Sequence, residues 1–180
     1  MGEVLGSSDE REVRVLLERP ELSVTWSRFA AGRRGAEPHV HHRHIDCFYV
    51  LGGELTVTVG PELERVTLGE DGFFAAPPDL IHGFDNDGAG EVRYLNLHTP
   101  DSGFIDYMRA VRDGTGATAW DSFDPPADGG RPRSEAVVSP PGSDLKLDRP
   151  EIAVTDGPPA GADFAHELGG GRVFSVILPG

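Results

Sequence analysis

The sequence predicts an all-β fold, an antiparallel β-sandwich or barrel, with one peripheral helix and a long C-terminal extension. Three observations carry this. Short runs of alternating apolar and polar residues recur along the first hundred residues, each closed by a turn signal. Glycine and proline together exceed a fifth of the chain, too many for long helices. Only one stretch has its apolar residues at helical spacing.

In order, residues 1 to 11 are polar and are expected to fray. Val13 to Glu18 is dense in apolar, often β-branched residues. After Pro20, Leu22, Val24 and Trp26 alternate with Ser23, Thr25 and Ser27, as in a half-buried strand. Ala30 to Gly35 reads as a loop. Phe48 to Leu51 is a short strand, and Gly52-Gly53 is its turn. Leu55, Val57 and Val59 mark the clearest strand, and Leu63, Val66 and Leu68 suggest its return. Phe73 to Ala76, Ile81 to Phe84 and Val92 to Leu97 complete the set. Many short strands separated by turns fit a sandwich or barrel over 12–100.

Beyond Thr99-Pro100 the pattern changes. Phe104, Ile105, Met108 and Val111 predict an amphipathic helix within 101–114, capped by Asp101 or Ser102 and closed by Gly114. Residues 115–144 read as a Gly/Pro-rich loop, with a short strand possible at Ala136 to Val138. The segment 145–180 is expected to hold a strand pair. Its start echoes an earlier stretch: Leu147 to Thr155 matches Leu17 to Thr25 at six of nine positions. Two structures fit that echo. The tail packs on the main sheet, in its own subunit or a neighbour's, or it begins a second barrel.

At 180 residues the chain suits one ordinary domain. A formal net charge of −14 argues against nucleic acid and anionic membrane surfaces as partners. Cys47 is the only cysteine, so no intrachain disulfide forms. There is no basic-then-apolar leader pattern and no apolar run of membrane-spanning length, so a cytoplasmic protein is expected.

Four histidines crowd six residues: His39, His41, His42 and His44, followed by Asp46. On a strand, His39 and His41 point to one face. Two imidazoles and a nearby carboxylate are metal-ligand chemistry. His82 lies in Pro77-Pro-Asp-Leu-Ile-His82-Gly-Phe-Asp-Asn86. His42 and Arg43 fall on the opposite phase and are expected in solvent. His98, ending a strand in phase with Tyr94 and Asn96, reads as a surface or capping histidine. Cys47 faces away from Asp46 as a buried, inert thiol, and Tyr49 packs on that same far face.

Together these two stretches resemble the signature motifs of the cupin superfamily. The first family motif is a glycine, five residues, His-x-His, three or four residues, Glu, six residues, Gly. Here Gly35 stands only three residues before His39, but the spacing fits from His39 onward, with Asp46 in the glutamate position and Gly53 at the end. The second, Pro-x-Gly-x-x-His-x-x-x-Asn, appears as Pro77, Asp79 in place of glycine, His82 and Asn86. The resemblance covers about 12–100. It implies a jelly-roll barrel in which His39, His41, Asp46 and His82 bind one divalent transition metal ion (Fe, Mn, Ni, Co, Cu or Zn). Asp46 is one methylene shorter than the family's glutamate. It either ligates directly or acts through a water, in which case His44 is the reserve.

Within the superfamily the His-Val-His-His-Arg stretch is most similar to the quercetin-dioxygenase-like group. That similarity implies a metal-dependent dioxygenase acting on a small aromatic or enolic compound. Asp46 would then also serve as the catalytic base. Phe48 and Val50, in phase with Asp46, and Phe84, in phase with His82, would line the substrate cavity. A non-catalytic metabolite-binding metal-cupin and a cupin isomerase or lyase remain open. The resemblance also implies a homodimer.

Overall fold

The structure is a computed structural model that describes residues 2–116, 118–157 and 161–178. The strands are β1 (Val4–Ser7), β2 (Arg11–Arg19), β3 (Leu22–Phe29), β4 (Ile45–Gly52), β5 (Leu55–Val59), β6 (Glu64–Leu68), β7 (Phe73–Ala76), β8 (His82–Asp85), β9 (Val92–Thr99), β10 (Val137–Ser139), β11 (Leu145–Arg149), β12 (Ile152–Asp156), β13 (Phe164–Gly169) and β14 (Arg172–Ile177). The helix α1 spans Phe104–Asp113. Every strand pair is antiparallel.

A seven-stranded sheet, in the order β1-β2-β3-β9-β4-β7-β10, is the central layer. A three-stranded sheet, β6-β5-β8, covers its inner face, and a four-stranded sheet, β11-β12-β14-β13, covers its outer face. Strand β4 shows why. Its side chains alternate, so Phe48 and Val50 join the inner core with Leu55, Val57 and Tyr94, whereas Cys47 and Tyr49 join the outer core with Val154, Phe174 and Val176. A strand buried on both faces has no use for polar alternation, which accounts for the unbroken apolar run in β4. Gly53 makes the β4–β5 turn at φ 82, where a Cβ would lie 2.2 Å from the Glu91 carbonyl oxygen.

The ends of the chain depart from expectation. Residues 4–7 are not frayed: Leu5 is buried among Val13, Val15, Ile105 and Met108, which ties β1 to β2 and α1. The first helical cap is Gly103 in the left-handed conformation, not Asp101 or Ser102. Those two act just outside it, Asp101 accepting the Gly103 N–H and Ser102 accepting the Phe104 N–H, each at 3.2 Å. Gly114 closes α1 at φ 66, as expected.

The C-terminal segment holds four strands where a pair was expected. The nine-residue echo is structural. In the β2–β3 hairpin Leu17, Glu18 and Arg19 pair with Val24, Ser23 and Leu22. In the β11–β12 hairpin Leu147, Asp148 and Arg149 pair with Val154, Ala153 and Ile152. Both hairpins carry a register shift just before the leucine. The order β11-β12-β14-β13 therefore repeats β2-β3-β9-β4, and the two copies pack outer face to outer face within one chain. Among the described residues the repeat gathers no second group of metal-ligating side chains. A polar network fastens it at one corner. The fully buried Lys146 ammonium donates to the Asp71 carbonyl at 2.8 Å and pairs with Asp156 at 3.5 Å. Arg172 bridges Asp71 and Asp156 at 2.7 and 3.1 Å.

Candidate metal centre

The loop before β4 is pinned from three sides. His39 and His82 exchange backbone hydrogen bonds at 2.9 and 3.0 Å, Val40 pairs with Phe123, and Arg34 with Asp85. This brings His39 and His41, from the loop, against His82 at the start of β8 and Asp46 at the start of β4. Their ligating atoms all lie within 4.8 Å of one another. The second motif's departure is absorbed locally. Asp79, in the glycine position, adopts a left-handed φ of 66, which Asp tolerates better than most residues, and its carboxylate accepts from His42 at 2.6 Å.

Each imidazole of the group is oriented by a backbone carbonyl. His39 Nδ1–H donates to Glu37 at 2.8 Å, His82 Nδ1–H to Leu80 at 2.9 Å, and His41 Nδ1–H to Asp121. A carbonyl only accepts, so these contacts place the proton on Nδ1 and leave Nε2 as a lone pair. Three such lone pairs converge. His39 Nε2 and His41 Nε2 are 3.2 Å apart, and Asp46 Oδ2 is 3.2 Å from His82 Nε2 and 3.4 Å from His41 Nε2. Lone pairs at that distance repel unless a cation lies among them. Metal–ligand bonds of about 2.0–2.2 Å put neighbouring ligand atoms about 3 Å apart, so the donor set fits a first-row divalent ion.

Burial, then the charge that His82 and His41 would carry, pushes the His39 pKa down to about 3. The imidazole is thus neutral at pH 7, as ligation requires. Burial opposes ionisation of Asp46, but the charge that His98 would carry beside it, foremost among the opposing influences, outweighs it and holds the carboxyl well below the usual range. Its Oδ2 faces the imidazoles of His41 and His82, while Oδ1 accepts from Asn96 at 2.5 Å.

His98 is not a surface histidine. It is 3% exposed, and its Nε2 lies 3.4 Å from Asp46 Oδ1 while its Nδ1 meets Ser102 at 3.0 Å. The reason is register: His98 is the direct cross-strand partner of Asp46. His44 stays out of the ligand group. Its Nδ1 bonds Asp121 Oδ2 at 2.8 Å, and its buried Nε2 has no hydrogen-bond partner among the described residues. His42 is half exposed and stacks on Phe123 at 4.3 Å. Cys47 is fully buried, and burial pushes its thiol pKa well up.

A cavity of about 150 Å³ opens from His39 and Asp46. Phe84 lines it, as expected, together with Phe29, Tyr94, Phe104, Tyr107 and Trp120. Gly35 makes room for Phe84, since a Cβ there would stand 2.5 Å from the Phe84 ring. Phe48 and Val50, expected as lining, sit deeper. The Phe48 ring packs behind Phe84 and Tyr94 at 4.9 and 5.9 Å, and Val50 fills the same core. Trp120 and Asp121 were not legible as site residues. Trp120 stands 5.4 Å from the His41 ring, and Asp121, 1% exposed, accepts the backbone N–H groups of His42 and Arg43.

Among the described residues no helix is long and apolar enough to cross a membrane. The family model described as "Cupin domain" matches residues 25–98. The KdgF structure from a Halomonas species is similar to this chain at 22% identity, covering 57% of this chain and 90% of its own, with a TM-score of 0.50. An RmlC-like cupin from Shewanella frigidimarina aligns at 24% identity over 56% of this chain and 85% of its own, with a TM-score of 0.48. No curated protein is significantly similar to the sequence. By that match, residues 25–98 of the chain form a cupin domain.

Proposed function

We propose that this cupin holds one divalent transition metal ion through His39, His41, Asp46 and His82, and that it is a metal-dependent dioxygenase of small aromatic or enolic compounds. One observation carries the metal: three imidazole lone pairs and one carboxylate oxygen converge on a single point, each imidazole fixed by a carbonyl behind it. The aromatic cavity that opens at His39 and Asp46 supports the substrate class.

When bound, the ion supplies Lewis-acid activation of a substrate oxygen. The chain's own residues do the rest. His39, His41 and His82 present neutral Nε2 atoms, and Asp46 supplies the compensating negative charge. Asn96 and His98 hold the Asp46 carboxylate in place from the other side. Asp46 holds the ion and, next to the bound substrate, is the base that takes its proton. Trp120, Phe104 and Phe84 keep water from the cavity wall and orient a flat substrate.

Elemental analysis of the purified protein tests the metal. Near-stoichiometric metal is expected in the wild type and its loss in His82→Ala and Asp46→Ala; full metal in both variants would place the site elsewhere. Oxygen uptake with single-ring catechols and enols tests the chemistry. Metal without oxygen uptake would turn the reading to a non-catalytic, metabolite-binding cupin.

A further inference from the structure

The cavity has a second end. Side chains on the inner face of the large sheet fall in cross-strand rows. Asp46 pairs with His98, then Thr25 with Asn96, then Val13 with Ser27 and Tyr94, then Arg11 with Phe29. Asp46 and Arg11 therefore mark opposite ends of the series, and both line the same cavity. Between them the wall is mostly aromatic and apolar, with Phe29, Phe84, Tyr94, Tyr107 and Trp120, and Ser27 and Asn96 are its polar members.

Arg11 is chemically out of place. The chain carries a formal charge of −14, and every other arginine, with Lys146, has a carboxylate or carbonyl partner. Among the described residues the Arg11 guanidinium has none. It is only partly exposed, so part of its hydration is lost with no ion in exchange. Beside it the Tyr94 phenol is held neutral, its pKa raised by burial against the opposing influence of Ser27 and Arg11. A planar guanidinium left open at the end of an aromatic slot suits a carboxylate, which it can engage with two parallel hydrogen bonds. Volume sets the body of the ligand. A cavity of about 150 Å³ is the size that holds one benzene ring, well short of a three-ring flavonol.

We propose that the substrate is a single-ring aromatic or comparably small enolic carboxylic acid, its carboxylate on Arg11 and its opposite, oxygen-bearing end towards Asp46 and His39. This rests on reading the cavity as the reaction chamber. The binding claim itself is tested without metal.

The probe pair is 4-hydroxyphenylacetate and its amide, which share shape and differ in charge. Binding to the full chain is followed by calorimetry, on EDTA-treated protein and on protein loaded with redox-inert zinc. The acid is expected to bind the metal-free protein about tenfold or more tighter than the amide. Arg11→Gln removes that preference, and Arg11→Lys retains part of it, with melting temperature and metal content unchanged. Equal affinity for acid and amide in the wild type would overturn the proposal, and this arm involves no variant that must fold. So would an unchanged preference in Arg11→Gln, or no binding of either probe at low millimolar concentration. If the acid preference holds but zinc does not bind, the metal reading fails and the anion site stands.

Discussion

Asp121 is eighty residues from His41 in sequence and one hydrogen bond away in the fold. Its carbonyl orients His41, and its carboxylate holds the N–H groups of His42 and Arg43 and the ring of His44. Partners that orient a metal ligand typically carry one to two orders of magnitude in affinity. Asp121→Ala keeps the carbonyl but frees the loop, so a loss of about tenfold or more in metal affinity is expected, read by chelator competition; unchanged affinity would make the carboxylate dispensable. A second residue-scale effect is acid sensitivity. Burial puts the His39 and His44 pKa values at about 3, against 6.5 for a free imidazole. Between those values the unfolded chain binds more protons than the folded one, so stability is full above pH 6.5 and drains as pH falls towards 3. The melting temperature of metal-free protein should therefore drop steadily from pH 7 to pH 4.5. A flat profile there would mean these imidazoles are not desolvated.

These residues also show what a sequence reveals of a site. His39, His41, Asp46 and His82 were legible because their spacing resembles a family pattern and their strand phases agree. His98 was in phase with Asn96 all along, yet its role needs the β4–β9 register, which pairs it with Asp46 and which no local pattern encodes. Asp121 and Trp120 sit in a segment without periodicity, and their contacts are long-range. Phe48 and Val50 had the right phase but lie in the core behind the cavity wall, where the Phe48 ring packs on Phe84 and Tyr94.

At the scale of elements, the C-terminal sheet is the least expected feature and the most consequential for β4. The Leu147 to Thr155 echo announced a repeat, and the two hairpins share their pairing and register shift, while only the first leads to a group of metal-ligating side chains among the described residues. The apolar positions of the second hairpin have a direct use: Leu147, Ile152 and Val154 share one core with Leu22, Val24 and Leu97. Phe174 lies at the centre of this contact, fully buried and 4.5 Å from the Tyr49 ring. Phe174→Ala is expected to cost about 3–5 kcal/mol in a urea melt. The candidate metal ligands lie on the loop and on strand faces turned the other way, so metal content per folded molecule should match the wild type. Loss of metal without loss of stability would mean that the two faces of the large sheet communicate.

At the scale of the molecule, whether they communicate is a question of cooperativity. Two cores lie on opposite faces of one sheet, and alternate residues of β4 belong to each: Phe48 and Val50 to one, Cys47 and Tyr49 to the other. Melting either core exposes half of that strand and unpairs it from β7 and β9, so neither can unfold while the other persists. The chain carries its own pair of reporters, since it has only two tryptophans. Trp26 packs against the outer core and Trp120 stands beside His41 and His98. Trp26→Phe leaves fluorescence that reports the candidate metal centre, and Trp120→Phe leaves fluorescence that reports the C-terminal sheet. In each variant the fluorescence melt should coincide with the far-ultraviolet circular dichroism melt. Saturating zinc should raise the Trp26 signal's midpoint as it raises the dichroism midpoint of the same variant, because a ligand that binds only the folded state stabilises the whole cooperative unit. If the Trp26 signal melts first and ignores zinc, the repeat is a separate folding unit that only leans on the barrel, and β4 is held by its inner face alone.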